Sequence, residues 1–370
     1  MERPLKIVLL VGAGGSQQFC YPLMNDFLDD FETTLAKHEP VHNHRIKLLE
    51  FFQEVIDLTL PLPSRYENPR NLERVHTLLG MPGTLRKYLV GVNEDQAIKL
   101  CDEVRDILVL EIFQKYSGAE HHKDMIVKLF DPLVTRILKL TGGNLTVFTT
   151  NYDRCLDVFF KTRGPFYDGF NSDKEGTYDR YGSSPQTKSP IKLFHLHGAT
   201  NWGWFRDERG RKTCLCRIEN VDYQGRSPAD YRDIITQPGE LIATDLHIPD
   251  EPHKIEPVHA RSEFNKALRV SLNKYDWVVV IGYQGDGRIK EEFSNAKLTR
   301  AGFGGPLKVL VINGKGYVEN KDKGYFVQEF VDEGHGCAIK GYLTAQTAPI
   351  IAEYIETVVT RGSTHPYVDC

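Results

Sequence analysis

Three short clusters in this 370-residue chain carry side chains suited to chemistry on a sugar or a phosphate: Gly12-Ala13-Gly14-Gly15-Ser16, Thr149-Thr150-Asn151-Tyr152-Asp153 and His195-Leu196-His197-Gly198. Asn151 has an amide that donates and accepts hydrogen bonds at once. A histidine, with an ordinary pKa of about 6.5, takes up or gives a proton near neutral pH. The glycines let a backbone approach a diphosphate closely, Ser16 adds a hydroxyl, and a helix following them would present unpaired amides. A plain tight turn also needs glycine, so both readings of the first cluster stay open.

The other two clusters have structural readings as well. Asn151 and Asp153 could cap a helix instead of facing a ligand. His195 and His197 lie two apart on a strand, so they face one side and could ligate metal or sit satisfied in a core. Of the two, His197 adjoins a glycine that opens the chain toward a cleft. It is therefore the candidate base, and His195 is the structural one.

Strands must place these residues. "KIVLLVG" from Lys6, "LTVFTTN" from Leu145, "IKLFHLHG" from Ile191 and "DWVVVIGYQG" from Asp276 read as parallel strands buried on both faces. "PLKVLVING" from Pro306 is a shorter fifth, and "GELIATD" from Gly239 a weaker candidate. Separated by helical stretches, they predict an α/β fold with a doubly wound, mostly parallel, Rossmann-like sheet. Ligands of such sheets lie beyond the carboxyl ends of the strands. Gly12–Ser16, Thr149–Asp153, His195–Gly198, Gly282-Tyr283-Gln284-Gly285 and Asn313 all fall at such ends.

Between the first two strands run "RIKLLEFFQEVIDLTL" from Arg45, "NLERVHTLLG" from Asn71, "DQAIKLCDEVRDILVLEIFQKY" from Asp95 and "KDMIVKLFDPLVTRILKL" from Lys123. Their apolar residues recur at threes and fours, which predicts a helical subdomain inserted over residues 28–140. Residues 201–263 are irregular and read as an excursion over the ligand face. "APIIAEYIETVV" places Ile351, Ile355 and Val358 on one side of a helix that packs on the sheet or on another subunit. The whole chain is expected to form one domain with these two insertions.

Composition narrows the function classes. With 46 Lys+Arg against 50 Asp+Glu, the net charge of -4 gives no argument for nucleic acid or a membrane surface. Hydrophobic residues at 41% and charged residues at 26% suit a globular chain, and no stretch approaches the roughly 18 apolar residues of a membrane span. Seven cysteines without framework spacing suit reduced thiols, hence a cytoplasmic protein. A dehydrogenase-type fold would want an acidic residue about 20 positions after the glycines, at the end of a second strand. "LDDFETTL" stands there and looks helical, which disfavours hydride transfer.

The order Gly-Ala-Gly-x-Ser, Thr-Asn-x-Asp, His-Gly, a glycine-containing strand end and a strand ending in Ile312-Asn313 resembles the sirtuin family, with motifs spread over most of the chain. The resemblance implies that Gly12, Ala13, Gly14 and Ser16 hold the pyrophosphate of NAD, with Thr150 and Gly282 beside it. It also implies that Asn151 and Asp153 surround the nicotinamide and its ribose, that His197 is catalytic and that Asn313 meets the adenosine ribose.

Departures refine it. Protein deacylases of that family continue with Gly-Ile-Pro-Asp-Phe-Arg, whereas Leu23, Met24 and Asn25 follow Pro22 here. They hold structural zinc with two Cys-x-x-Cys pairs, and this chain has Cys214-Leu215-Cys216, too few ligands for a four-coordinate site, so no zinc is expected. Their phenylalanine-glycine-glutamate strand, which pairs with an acyl-lysine peptide, is missing. What remains resembles the sirtuin-like effectors of bacterial anti-phage defence, which hydrolyse NAD, and most of all the kind partnered with a HerA-type ATPase. That resemblance implies NAD as substrate and an ATPase partner, while the helices over residues 28–140 exceed what a crossover requires, so their surplus apolar faces predict a homo-oligomer. A protein deacylase and a non-catalytic NAD-binding regulatory subunit are the alternatives.

Overall fold

In a computed structural model, the structure describes residues 3–21, 24–38, 42–59, 75, 78–80, 82–87, 93–170, 178–179, 185–206, 212–217, 259–283, 287–303, 305–314, 330–331, 333–361 and 367–369. The strands are β1 (Ile7–Val11), β2 (Leu145–Thr149), β3 (Ile191–His195), β4 (Trp202–Arg206), β5 (Lys212–Arg217), β6 (Trp277–Ile281), β7 (Lys308–Asn313), β8 (Gly336–Lys340) and β9 (Tyr367–Asp369). Seven of them form one sheet in the order β3-β2-β1-β6-β7-β8-β9, and every neighbouring pair is parallel. The fold is therefore Rossmann-like α/β.

The sequence pattern explains the order. β1, β2 and β6 are buried along their whole length, and β1 and β6 are apolar throughout, which suits strands covered on both faces. From β1 the chain moves outward to β2 and β3, then returns to the other side of β1 with β6 and continues outward. In sheets of this order right-handed crossovers in the two directions put helices on opposite faces, and the reversal leaves a crevice beyond the carboxyl ends of the two strands where it occurs, which here are β1 and β6.

The chain divides into two compact units. The sheet unit comprises residues 1–21, 118–199 and 257–370. In it the Lys123–Leu140 helix packs on the Cys155–Arg163 and Ala348–Arg361 helices. Ile351, Ile355 and Val358 are buried there, and Arg136 pairs with Glu356. The His259–Lys274 and Gly287–Phe303 helices pack together, joined by the bidentate Arg269–Glu292 pair.

The second unit comprises residues 22–117 and 200–256. Its helices Met24–His38, His42–Thr59 and Glu94–Tyr116 pack through Phe27, Phe31 and Phe52, with the Phe31 and Phe52 rings edge-on at 5.1 Å. The expected insertion of residues 28–140 is thus corrected at its far end. The Lys123–Leu140 helix belongs with the sheet, because its apolar face of Ile126, Phe130, Leu133 and Ile137 is buried on helices of that unit.

Within the irregular excursion β4 and β5 pair antiparallel, which the sequence reading did not anticipate. Residues 218–258, including the strand candidate "GELIATD", and the Cys214 and Cys216 side chains lie outside the described residues. Among the described residues no helix is long and apolar enough to cross a membrane, and no group of three or more His, Cys, Asp or Glu side chains could hold a metal ion.

Candidate active site

Because the sheet is all-parallel, its carboxyl ends share one edge, and main-chain bonds carry the ladder one residue past each strand there. Leu196 N donates to Thr149 O at 2.8 Å, Thr150 N to Val11 O at 3.1 Å, and Gly12 N to Ile281 O at 2.8 Å. Gly282 N donates to Ile312 O at 2.9 Å, and Gly341 N to Asn313 O at 2.9 Å. Gly12, Thr150, Gly282 and Asn313 therefore stand at one level, beside the crevice where strand order reverses. Ala13, Gly14, Ser16, Asn151, Asp153 and His197 follow directly from the same strand ends.

The loop after β1 does not lead straight into a long helix, as the anion-binding reading expected. It makes two single turns, Ala13–Gly15 and Gln17–Phe19, and ends at Cys20 in the left-handed conformation, φ 62°. The amides of Gly12 and Gly14 are committed to Ile281 O and Gly282 O, and those of Gly15 and Ser16 close the first turn on Gly12 O and Ala13 O. Of the four residues expected to hold a pyrophosphate, Ala13 keeps its amide out of the backbone ladder.

The glycines have a physical cause in the fold itself. A Cβ at Gly12 would lie 2.7 Å from Gly282 O, and one at Gly14 would lie 2.8 Å from Gly282 Cα. Gly282 has φ 59°, and a Cβ there would collide with the Gly14–Gly15 backbone. The glycines of this cluster thus serve a backbone-on-backbone contact within the protein.

Asn151 is buried. Its main-chain N–H donates to Thr149 Oγ1 at 3.1 Å, and its Nδ2 donates to Ser16 Oγ at 2.9 Å. Its main-chain carbonyl faces His195 Nδ1 at 3.3 Å. Its Oδ1 is buried without a hydrogen-bond partner. An amide oxygen in that state costs about 1–3 kcal/mol of lost hydration, which a hydroxyl or water of a ligand can recover.

Asp153 turns out to do structural work. Its Oδ1 accepts the Cys155 N–H at 3.0 Å, where the Cys155–Arg163 helix begins. Full burial raises its pKa from the ordinary carboxylate value, and the Cys155 N–H with the nearby Ser16 and Cys155 side chains, which favour the charged form, only partly oppose the rise. Ser16, which holds Asn151 through Oγ, therefore also lies near Asp153. Tyr21 and Cys155 complete the cluster, and burial pushes the phenol and the thiol far above their ordinary values, so both stay protonated. Sequence reading missed these two; their settings, "FCYP" and "RCLD", carry no spacing that points to Ser16.

β3 ends at His195, so the strand periodicity that put His195 and His197 on one face does not extend to His197. His197 lies in the turn that follows, buried, immediately before Gly198 with φ 86°. His195 is held between Asp157 Oδ2 at 2.8 Å from Nε2 and the Asn151 carbonyl. Asn313 Oδ1 accepts the Gly314 N–H at 2.9 Å at the end of β7.

No protein-family model matches the chain, and comparison with curated proteins returns no match. The functional reading accordingly rests on the residues themselves.

Proposed function

We propose that the protein is an NAD glycohydrolase that splits NAD with water into nicotinamide and ADP-ribose, and that it serves as an anti-phage effector depleting cellular NAD when activated. The observation that supports this reading most is the state of Asn151. Its N–H, carbonyl and Nδ2 each face a protein partner, while the buried Oδ1 is left to accept from a ligand.

The reaction breaks the bond between the ribose anomeric carbon and the pyridinium nitrogen, and the electron pair leaves with nicotinamide, which departs neutral. Water forms the new bond to that carbon and loses a proton. Asn151 Oδ1 would orient the ribose or the attacking water, replacing a bimolecular encounter by a fixed geometry. His197 would take the proton from water or from a ribose hydroxyl. Asp153 would act from behind, through Ser16, on the amide of Asn151. Ala13 and Ser16, Thr150 and Gly282, and Asn313 would line the dinucleotide from pyrophosphate to adenosine ribose.

Gating accompanies this reading, because an unrestrained NAD hydrolase would empty its own cytosol. The proposal includes a homo-oligomer and docking of a HerA-type ATPase as the means of control. The surplus apolar faces that first suggested an assembly give it no added support, since Phe27, Phe31, Leu48, Phe52, Val104 and Leu108 are buried within the single chain. Assaying nicotinamide and ADP-ribose with and without an acetyl-lysine peptide tests the reaction. Release independent of peptide is expected; release that requires peptide would establish a deacylase instead.

A further inference from the structure

Asp157 is a carboxylate in an otherwise apolar run, Leu156-Asp157-Val158-Phe159-Phe160, and it is buried. It sits in the first turn of the Cys155–Arg163 helix, which follows β2, and meets His195 at the end of β3. Apolar residues would fill the same space without taking two charges out of water. The pair therefore calls for a cause other than packing.

The ring of His195 supplies it. Nε2 faces the Asp157 carboxylate at 2.8 Å and Nδ1 faces the main-chain carbonyl of Asn151 at 3.3 Å. Both partners are acceptors, so a ring with one proton would set a nitrogen lone pair against an oxygen. Burial opposes a charged ring, but the Asp157 carboxylate, its hydrogen bond and the Asn151 carbonyl outweigh burial and raise the His195 pKa, while His195 in turn outweighs burial and lowers that of Asp157.

We infer that the His195–Asp157 ion pair is a positioning device for Asn151: Asp157 orients the ring so that Nδ1–H holds the Asn151 main chain, and Ser16 then aims the side chain. The inference rests on the proposed role of Asn151 in NAD chemistry. It makes His195 a positioning residue and leaves His197 as the candidate base. It also explains why the two histidines occur together, since one sets the stage on which the other acts.

The test compares His195→Asn with His195→Leu in the full-length protein, both on an Asp157→Asn background so that no buried carboxylate is left unpaired. The Asn amide nitrogen takes the place of Nδ1 and still donates to Asn151; Leu has the same size and cannot. The expected result is a kcat for the Leu protein lower than that of the Asn protein on the order of tenfold, with KM and melting temperature alike. Equal kcat values in two folded proteins overturn the inference.

Should the Leu protein not fold, ring-nitrogen NMR of the wild-type protein decides. A slowly exchanging proton on His195 Nδ1 at neutral pH is expected, and an unprotonated Nδ1 overturns the inference. If the wild-type protein leaves NAD intact, the proposed reaction fails, while the NMR result still decides the hydrogen bond to Asn151.

Discussion

Asn151 and Ser16 lie 135 residues apart in sequence, yet Nδ2 of the one donates to Oγ of the other at 2.9 Å inside the sheet unit. This bond ties the loop after β1 to the motif after β2 and fixes which end of the amide remains for a ligand. Ser16→Ala removes the acceptor and leaves a small side chain that fits the same buried place. Turnover is expected to fall roughly tenfold, the equivalent of about one hydrogen bond, with the protein still folded. A steady-state comparison beside a melting curve checks it; unchanged turnover would show that the bond does not orient Asn151.

Gly282 and Gly143 form a matched pair of glycines. Both have positive φ, 59° and 91°, but a Cβ at Gly143 meets nothing within 4 Å, whereas one at Gly282 collides with the Gly14–Gly15 backbone. Gly143→Ala is expected to cost about 1 kcal/mol, the conformational penalty alone. Gly282→Ala should cost more and should also weaken NAD binding, because the loop after β1 must move. Denaturant unfolding and calorimetric NAD titration separate the two. Equal losses in both variants would mean that the loop contact carries no weight.

Asp153 makes a pH-dependent prediction. Its folded pKa is raised by burial, so its contribution to stability is fully present below the unfolded value of about 3.9 and is lost as pH rises through the folded pKa. Asp153→Asn keeps an oxygen for the Cys155 N–H and cannot ionise. Its melting temperature minus that of the wild type should therefore grow as pH rises from about 4. Turnover should fall roughly tenfold, since an amide replaces the carboxyl group beside Ser16, the residue that holds the Asn151 side chain. A temperature difference flat across pH, with turnover intact, would contradict both halves.

His197→Ala should slow NAD hydrolysis on the order of a hundred- to ten-thousand-fold, the usual cost of losing a general base, with NAD still bound. Rates near the wild type would remove His197 from the chemistry.

Much of the scaffold was legible in the sequence. β1 and β6 announce themselves because strands covered on both faces are apolar throughout, β2 is β-branched and aromatic apart from Leu145, and the strand ends carry the polar clusters. β8, "GCAIK", escaped notice, since three apolar residues between polar ends have no period of their own and the pairing comes from β7. β9 is three residues long. Within the site, residue types pointed to Asn151, Asp153 and His197, but not to the use each makes of its atoms. That the Gly12 and Gly14 amides are spent on Ile281 and Gly282 depends on a contact across some 270 residues, which no local spacing reveals. The same holds for Asp157 and His195, which a helix and a neighbouring strand bring together.

The central claim concerns Asn151, and the most direct measurement is product release from NAD by the wild-type protein and by Asn151→Ala, side by side and without acyl peptide, with NAD binding followed calorimetrically in both. The account predicts equimolar nicotinamide and ADP-ribose from the wild type, and from Asn151→Ala a rate lower on the order of a hundredfold or more with NAD still bound. Equal rates from the two proteins, or intact NAD in the presence of the wild-type protein with the proposed HerA-type ATPase added, would contradict it.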